Sequence, residues 1–266
     1  MTGRSNSVRF LFESSMSKGW VGPLTDSILC PSKIATQNAG SINASLYYQV
    51  GGSGMNGLFA ARLSASHQLA EVNVMLKIRY DNRFGTGAWE TDSSAVPPRS
   101  DRLTSFLIEL KPDGIHVGNN VEAMIYSVGP VLGKPGLLNE TQYQQVYFDA
   151  IEGIDTWNQL GHTIAGLRIT MLSCGIYAGL VDDKDLLYEK AAENIIVGIA
   201  RAVRRFPRLS GLSILVNTND SVKPPEHDGK PHIPRERPAF TAAAHGLGIT
   251  VDTAGFTVDV LDDHFK

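Results

Sequence analysis

An apolar run at 164–172, a long amphipathic stretch at 184–206 and a second apolar run at 212–216 follow one another in the second half of the chain. Tyr188, Ala192, Ile195, Ile199 and Val203 recur at helical spacing, which predicts one long helix between two buried strands. Strands that are apolar throughout belong to sheets covered on both faces, because a half-exposed strand alternates apolar with polar residues. The rest of the chain repeats this order. Val8 to Phe12 reads as a first strand, Thr25 to Pro31 as a second ended by its proline, and Val121 to Val128 as another stopped by Gly129-Pro130. Tyr143, Val146, Tyr147, Ala150, Ile151 and Ile154 share one helical face. Val72, Val74, Leu76 and Ile78 alternate strictly and predict a strand. Residues 81–105 are rich in Gly, Ser, Pro and charge and predict a loop. Phe106 to Leu110 and Gly114 to Val117 suggest a small hairpin across Lys111-Pro112-Asp113, residues 222–238 a surface excursion, and 239–262 a short helix with one or two strands. No internal repeat is visible. The fold class expected is α/β, a three-layer α/β/α arrangement in which a mixed sheet carries helices on both faces.

Composition bounds the function classes. With 42% apolar and 19% charged residues among 266, the chain is globular and can bury a sizeable core. A net charge of -3 speaks against a nucleic-acid partner held by a broad basic face, while a local patch stays open. The two cysteines, Cys30 and Cys174, lack CxxC spacing and read as free thiols in a reducing compartment. MTGRSNSVRF lacks the pattern of a cleaved leader, and no apolar run approaches the roughly 20 residues of a membrane span. A cytoplasmic or otherwise intracellular protein with no membrane partner is the expectation. His116 and His162 have no companion at metal-ligand spacing, so no metal is expected and both read as surface or loop residues. Arg201, Arg204, Arg205 and Arg208 read as a solvated cap at a helix C-terminus, where cations complement the dipole.

Three segments could carry chemistry. Gly51-Gly52-Ser53-Gly54-Met55-Asn56-Gly57 opens directly into the helix-forming Leu58 to Leu63. Glycines there let main-chain N–H groups converge beside a positive helix end, a setting suited to phosphate, although a plain helix start has the same look. No lysine comes after it, which excludes a P-loop. Ser173-Cys174-Gly175-Ile176-Tyr177-Ala178-Gly179 lies where a buried strand hands over to the long helix, and ligands of open α/β sheets collect outside strand carboxyl ends. Tyr177 offers a planar face to a sugar or base. Ser127-Val128-Gly129-Pro130 stands at another strand's carboxyl end.

In this order the pieces resemble the macrodomain family, whose members carry a GGGVxxAI loop, an IIHxVGP-like strand end and an STGIYG loop before an Ala-rich helix. Gly85-Thr86-Gly87-Ala88 is similar to the family's TGxA turn. The resemblance covers roughly residues 20–220. It implies a core over 1–220 with an insertion near 88–120, and a C-terminal elaboration over 221–266 packed on the same domain. It also implies an ADP-ribose site with no other cofactor. Gly51, Gly52, Ser53, Gly54, Met55 and Asn56 would form one wall of a cleft; Ser173, Cys174, Gly175, Ile176, Tyr177 and Gly179 would form the other.

The departures bear on mechanism. Many hydrolytic macrodomains place an Asn about seven residues before the glycines and an Asp directly after GGV; here those positions hold Leu46 and Asn56. An amide is no general base at neutral pH. Asn43 or Asn38 could take the ribose contact. Pro23 stands where the family's adenine-contacting Asp belongs, and Asp26 is the nearest acid. Asp182 and Asp183 are the candidate catalytic acids, or merely favourable charge at a helix start. Cys174 beside that helix start could have a lowered pKa or could simply fill a small position. Three readings are open: a binder of ADP-ribose or of ADP-ribosylated protein; an ADP-ribosyl hydrolase or O-acetyl-ADP-ribose deacetylase using a non-standard acid; or a macrodomain-like scaffold with its pocket filled by Tyr47, Tyr48 or Trp89.

Overall fold

A computed structural model describes residues 6–13, 33–40, 42, 46–52, 54–113, 115–130, 139–174, 183–218 and 234–266. Seven strands among them form one sheet: β1 (Ser7–Glu13), β2 (Ile34–Ala39), β3 (Ser105–Glu109), β4 (Val121–Ser127), β5 (Gly166–Ile169), β6 (Ser213–Asn217) and β7 (Gly255–Asp259). Their spatial order is β3-β4-β2-β5-β6-β1-β7. The five inner strands are parallel, so their carboxyl ends lie along one side of the sheet. The two outer strands, β3 and β7, run antiparallel to their neighbours.

The helices are α1 (Gly54–Ala65), α2 (Leu69–Phe84), α3 (Ala88–Ser94), α4 (Glu140–Gln159), α5 (Lys184–Arg205) and α6 (Glu236–Gly246). Side chains alternate between the faces of each strand. Ala123 and Ile125 of β4 join Leu107, Leu167, Ile214 and Phe10 in a core shared with α4, α5 and α6. Met124 and Tyr126 join Phe106, Ile108 and Ile34 in a second core against Phe59 and Leu63 of α1 and Val72, Leu76 and Tyr80 of α2. Each fully buried side chain of this size contributes on the order of 2 kcal/mol. This is the expected mixed α/β sheet with helices on both faces.

The structure corrects several expectations. Residues 72–78 are not a strand but the middle of α2. The buried set is Val72, Leu76 and Tyr80, spaced by four, whereas Val74 and Ile78 of the supposed alternation are exposed. Glu71 before them and Met75, Lys77 and Arg79 among them favour helix, and the 16-residue run contains neither Gly nor Pro. Within 81–105, residues 88–94 form α3, started after the left-handed Gly87 of the GTGA turn. The hairpin pairs β3 with β4, not with 115–117; Asp113 instead accepts the N–H groups of Ile115, His116 and Val117. The basic end of α5 is largely exposed, as expected, with Arg201 and Arg205 at the surface, but some of these cations also have protein partners. Arg208 pairs at 2.8 Å with the buried Asp155, and Arg201 and Arg204 donate to carbonyls of Lys266, Val260 and Asp262. His162 lies in a loop, as expected, and there stacks on Trp157 with ring centroids 3.9 Å apart, its Nδ1 2.9 Å from Glu122. The strand expected at 25–31 and most of 222–238 lie outside the described residues.

Candidate functional site

The parallel strands end together, and the loops that leave those ends define the site. Gln37, fully buried near the end of β2, donates to Ser127 Oγ of β4 at 2.9 Å and accepts the Thr170 N–H after β5 at 3.0 Å. The chain of bonds continues from Ser127 Oγ to Ser105 Oγ at 2.7 Å, and from Ser105 to the Val146 carbonyl of α4. A satisfied buried network of this kind fixes the relative heights of the strands it crosses. It sets a rigid floor beneath the two loops.

The first loop runs from the end of β2 to α1. Gly52 has φ 76, a conformation that a side chain resists, and the exposed turn it makes leads directly into the helix start. A Cβ on Gly57, one turn into α1, would lie 2.5 Å from the Gly52 carbonyl oxygen, so the helix lies directly against the turn. Leu46 packs behind it, its methyl groups against Gly51 and Gly52. An apolar group therefore stands where the resemblance expects an amide to orient a ribose. Asn56 is buried; its Oδ1 accepts from Asn38 Nδ2 at 2.9 Å and its Nδ2 donates to the Gln49 carbonyl at 3.0 Å. Both ends of the amide are thus engaged, and Asn38 joins the site from the fully buried end of β2. Met55 is half-buried beside the second core. Asn43 and Ser53 lie outside the described residues, as does Asp26.

The second loop leaves β5, and three tyrosines hold its entry. Tyr147 donates to the Thr170 carbonyl at 2.5 Å and accepts the Leu172 N–H; Tyr143 donates to the Leu172 carbonyl at 2.9 Å. Tyr188 of α5 donates to the Cys174 carbonyl at 2.5 Å. Burial pushes all three phenols above their ordinary pKa, so they remain donors at neutral pH. Ser173 has φ 63 and its Oγ donates to the Pro130 carbonyl at 2.6 Å, tying this loop to the end of β4. Burial pushes the Cys174 thiol up to about 12, the opposite of activation. Cys174 fills space. Gly175, Ile176, Tyr177, Gly179 and Asp182 lie outside the described residues. Asp183 is exposed and caps α5, accepting the Leu186 N–H at 2.9 Å.

Sequence reasoning placed the glycine turn but missed Gln37, Tyr126, Tyr143, Tyr147 and Tyr188. A signal existed for Tyr143, Tyr147 and Tyr188: a phenol on the apolar face of a helix needs a buried hydrogen-bond partner. Tyr47 and Tyr48, with Trp89 packed against them, belong to the second core, beneath α2 and α3. Among the described residues no group of three or more His, Cys, Asp or Glu could hold a metal, and no helix is long and apolar enough to cross a membrane.

No family model matches the chain, and no curated protein sequence matches it. Solved structures do. A mutant of the Oceanobacillus iheyensis macrodomain with ADPR superposes with TM-score 0.50 at 15% identity, over 84% of this chain and 90% of that one. The protein has the macrodomain fold. The O. iheyensis macrodomain with ADP gives TM-score 0.48 at 14% identity over 84% and 88% of the two chains. The Trypanosoma brucei macrodomain in complex with ADP gives 0.43 at 12% over 90% and 69%. In this macrodomain fold the glycine turn before α1 and the Ser173 turn after β5 occupy neighbouring strand ends.

Proposed function

We propose that the protein binds ADP-ribose, free or attached to protein, in a cleft between the Gly51–Asn56 and Ser173–Gly179 loops, and that it acts as a reader. Glycines at the approach points let a diphosphate meet backbone N–H donors, and the start of α1 adds the favourable end of a 12-residue helix dipole. The O. iheyensis macrodomain structure with ADPR supports the ligand class. The observation that carries the choice of reader is Asn56. It is buried, is no base, and has both ends of its amide bonded to Asn38 and Gln49. Calorimetry with ADP-ribose should give micromolar or tighter affinity. Absence of both heat and a thermal shift at millimolar ligand would remove the proposal.

Hydrolysis with a non-standard acid is the second reading, and Asp183 bears on it directly. Its carboxylate is engaged as the α5 cap. An Asp182→Ala, Asp183→Ala variant should show the same turnover of mono-ADP-ribosylated protein as the parent chain. Loss of a measurable parental activity in that variant would restore the hydrolase reading.

A further inference from the structure

Three of the four residues ahead of the glycine turn, Tyr47, Gln49 and Val50, are held in an unusual way. Their backbone polar groups are met by side chains from four different elements. Trp89 Nε1 of α3 donates to the Tyr47 carbonyl at 3.0 Å. Tyr126 of β4 and Asn56 of α1 both donate to the Gln49 carbonyl, at 2.8 and 3.0 Å. Asn73 of α2 makes two bonds to one residue: it accepts the Val50 N–H at 2.8 Å and donates to the Val50 carbonyl at 3.4 Å. That two-point contact pairs the amide with the backbone much as a neighbouring strand would. It fixes both peptide planes of the residue directly before Gly51.

Asn73 itself is half-buried on α2, next to the buried Val72 and one turn before Leu76 and Lys77. A helix surface position does not need an amide for packing. The tyrosine hydroxyls behind the loop add a second tier: Tyr47 bonds Tyr80 at 2.8 Å, Tyr80 donates to Asp92 at 2.6 Å, and Arg102 pairs with Asp92 at 2.9 Å. This tier fixes the rings, whereas Asn73 fixes the backbone that enters the turn.

We infer that Asn73 is a positioning residue for ligand binding, holding the glycine turn in its binding-competent shape before ligand arrives. The inference rests on the proposal that this turn is a wall of the ADP-ribose cleft. A loop ordered in advance binds more tightly because its ordering cost is met in the free protein; a loop competent only part of the time has its affinity lowered by that fraction.

The test uses the full chain. Asn73→Ala removes both bonds, and Asn73→Asp keeps only the acceptor for the Val50 N–H. Hydrogen–deuterium exchange, read without ligand, should show faster exchange at 50–54 in Asn73→Ala and a smaller increase in Asn73→Asp, with α5 unchanged. Calorimetry should show roughly tenfold weaker ADP-ribose binding for Asn73→Ala, the loss expected for one or two net hydrogen bonds. Binding of AMP, which lacks the second phosphate and the distal ribose, should change less than twofold. Unchanged exchange at 50–54 overturns the inference, as does unchanged ADP-ribose affinity, or an equal loss for AMP. Failure of the unaltered chain to bind ADP-ribose instead overturns the ligand proposal, and the exchange measurement then still decides the role of Asn73 in the loop.

Discussion

Gly57→Ala separates a close approach from an ordinary helical glycine by the sign of its effect. In an open helix interior, alanine is favoured over glycine by about 1 kcal/mol. At Gly57 the new Cβ would stand 2.5 Å from the Gly52 carbonyl oxygen and 3.1 Å from its carbon. Those are backbone atoms, so relief requires the glycine turn to move by about 0.5 Å or more. Overpacking of this kind costs about 1–3 kcal/mol. The two terms sum to a loss of roughly 0–2 kcal/mol, and the turn moves away from the start of α1. Urea unfolding reads the first quantity and calorimetry with ADP-ribose the second, where a loss of tenfold or more is expected. Gly246→Ala, at the end of α6 with nothing within 4 Å of the new Cβ, is the control and should gain about 0.5–1 kcal/mol. If Gly57→Ala is stabilised as much as Gly246→Ala and binds ADP-ribose unchanged, the contact between turn and helix is not what shapes the site.

Two further outcomes concern buried groups. Arg208→Ala leaves the buried Asp155 with Gln159 as its remaining hydrogen-bond partner and should cost about 1–3 kcal/mol in urea unfolding, whereas Lys77→Ala, which breaks an exposed pair with Glu90, should cost under about 1 kcal/mol. Stability should fall as pH rises from about 9 toward 12. The Cys174 thiol titrates at its ordinary 9.0 when unfolded but is raised to about 12 when folded, so its contribution is complete below pH 9 and is lost through that window. The buried phenols shift in the same direction. Peptide mapping after iodoacetamide treatment at pH 8 should show Cys174 unlabelled in the native chain; rapid labelling would refute the burial argument.

The strands β4, β5 and β6 were readable because they are mostly apolar, and α4 and α5 because their buried positions keep helical spacing over 20 and 22 residues; the inner strand β2 was not, because it buries Thr36, Gln37 and Asn38. The glycine turn was readable because glycine is the residue that positive φ selects. The error at α2 has a definite cause. Val74 and Ile78 are exposed apolar residues, and by falling between Val72, Leu76 and Tyr80 they imitate a period of two. That error also concealed Asn73, whose partner Val50 lies 23 positions away and is reached only if the segment is helical. The Arg208–Asp155 pair was unreadable for a similar reason: a basic helix end looks the same whether water or a buried carboxylate receives it. The roles of Tyr143, Tyr147 and Tyr188 needed the tertiary structure, since each reaches a carbonyl 14 to 29 positions distant.

The position of β1 bears on how the chain reaches its fold during synthesis. This strand lies between β6 and β7, and Arg9 bonds Ser213 across 204 positions. At a ribosomal rate of about 5–20 residues per second, β1 therefore waits roughly ten to fifty seconds for its flanking strands to be made. During that interval Val8, Phe10 and Phe12, all buried in the finished protein, have no β6 or β7 to shelter them. The closing step joins distant segments and is slow because of the loop entropy lost before contacts form. An early pause on the ribosome or a stop before residue 213 would leave an apolar, unpaired strand, so aggregation of shortened products should track β1, and polar substitution at Phe10 should lessen it in those fragments while preventing folding of the complete chain.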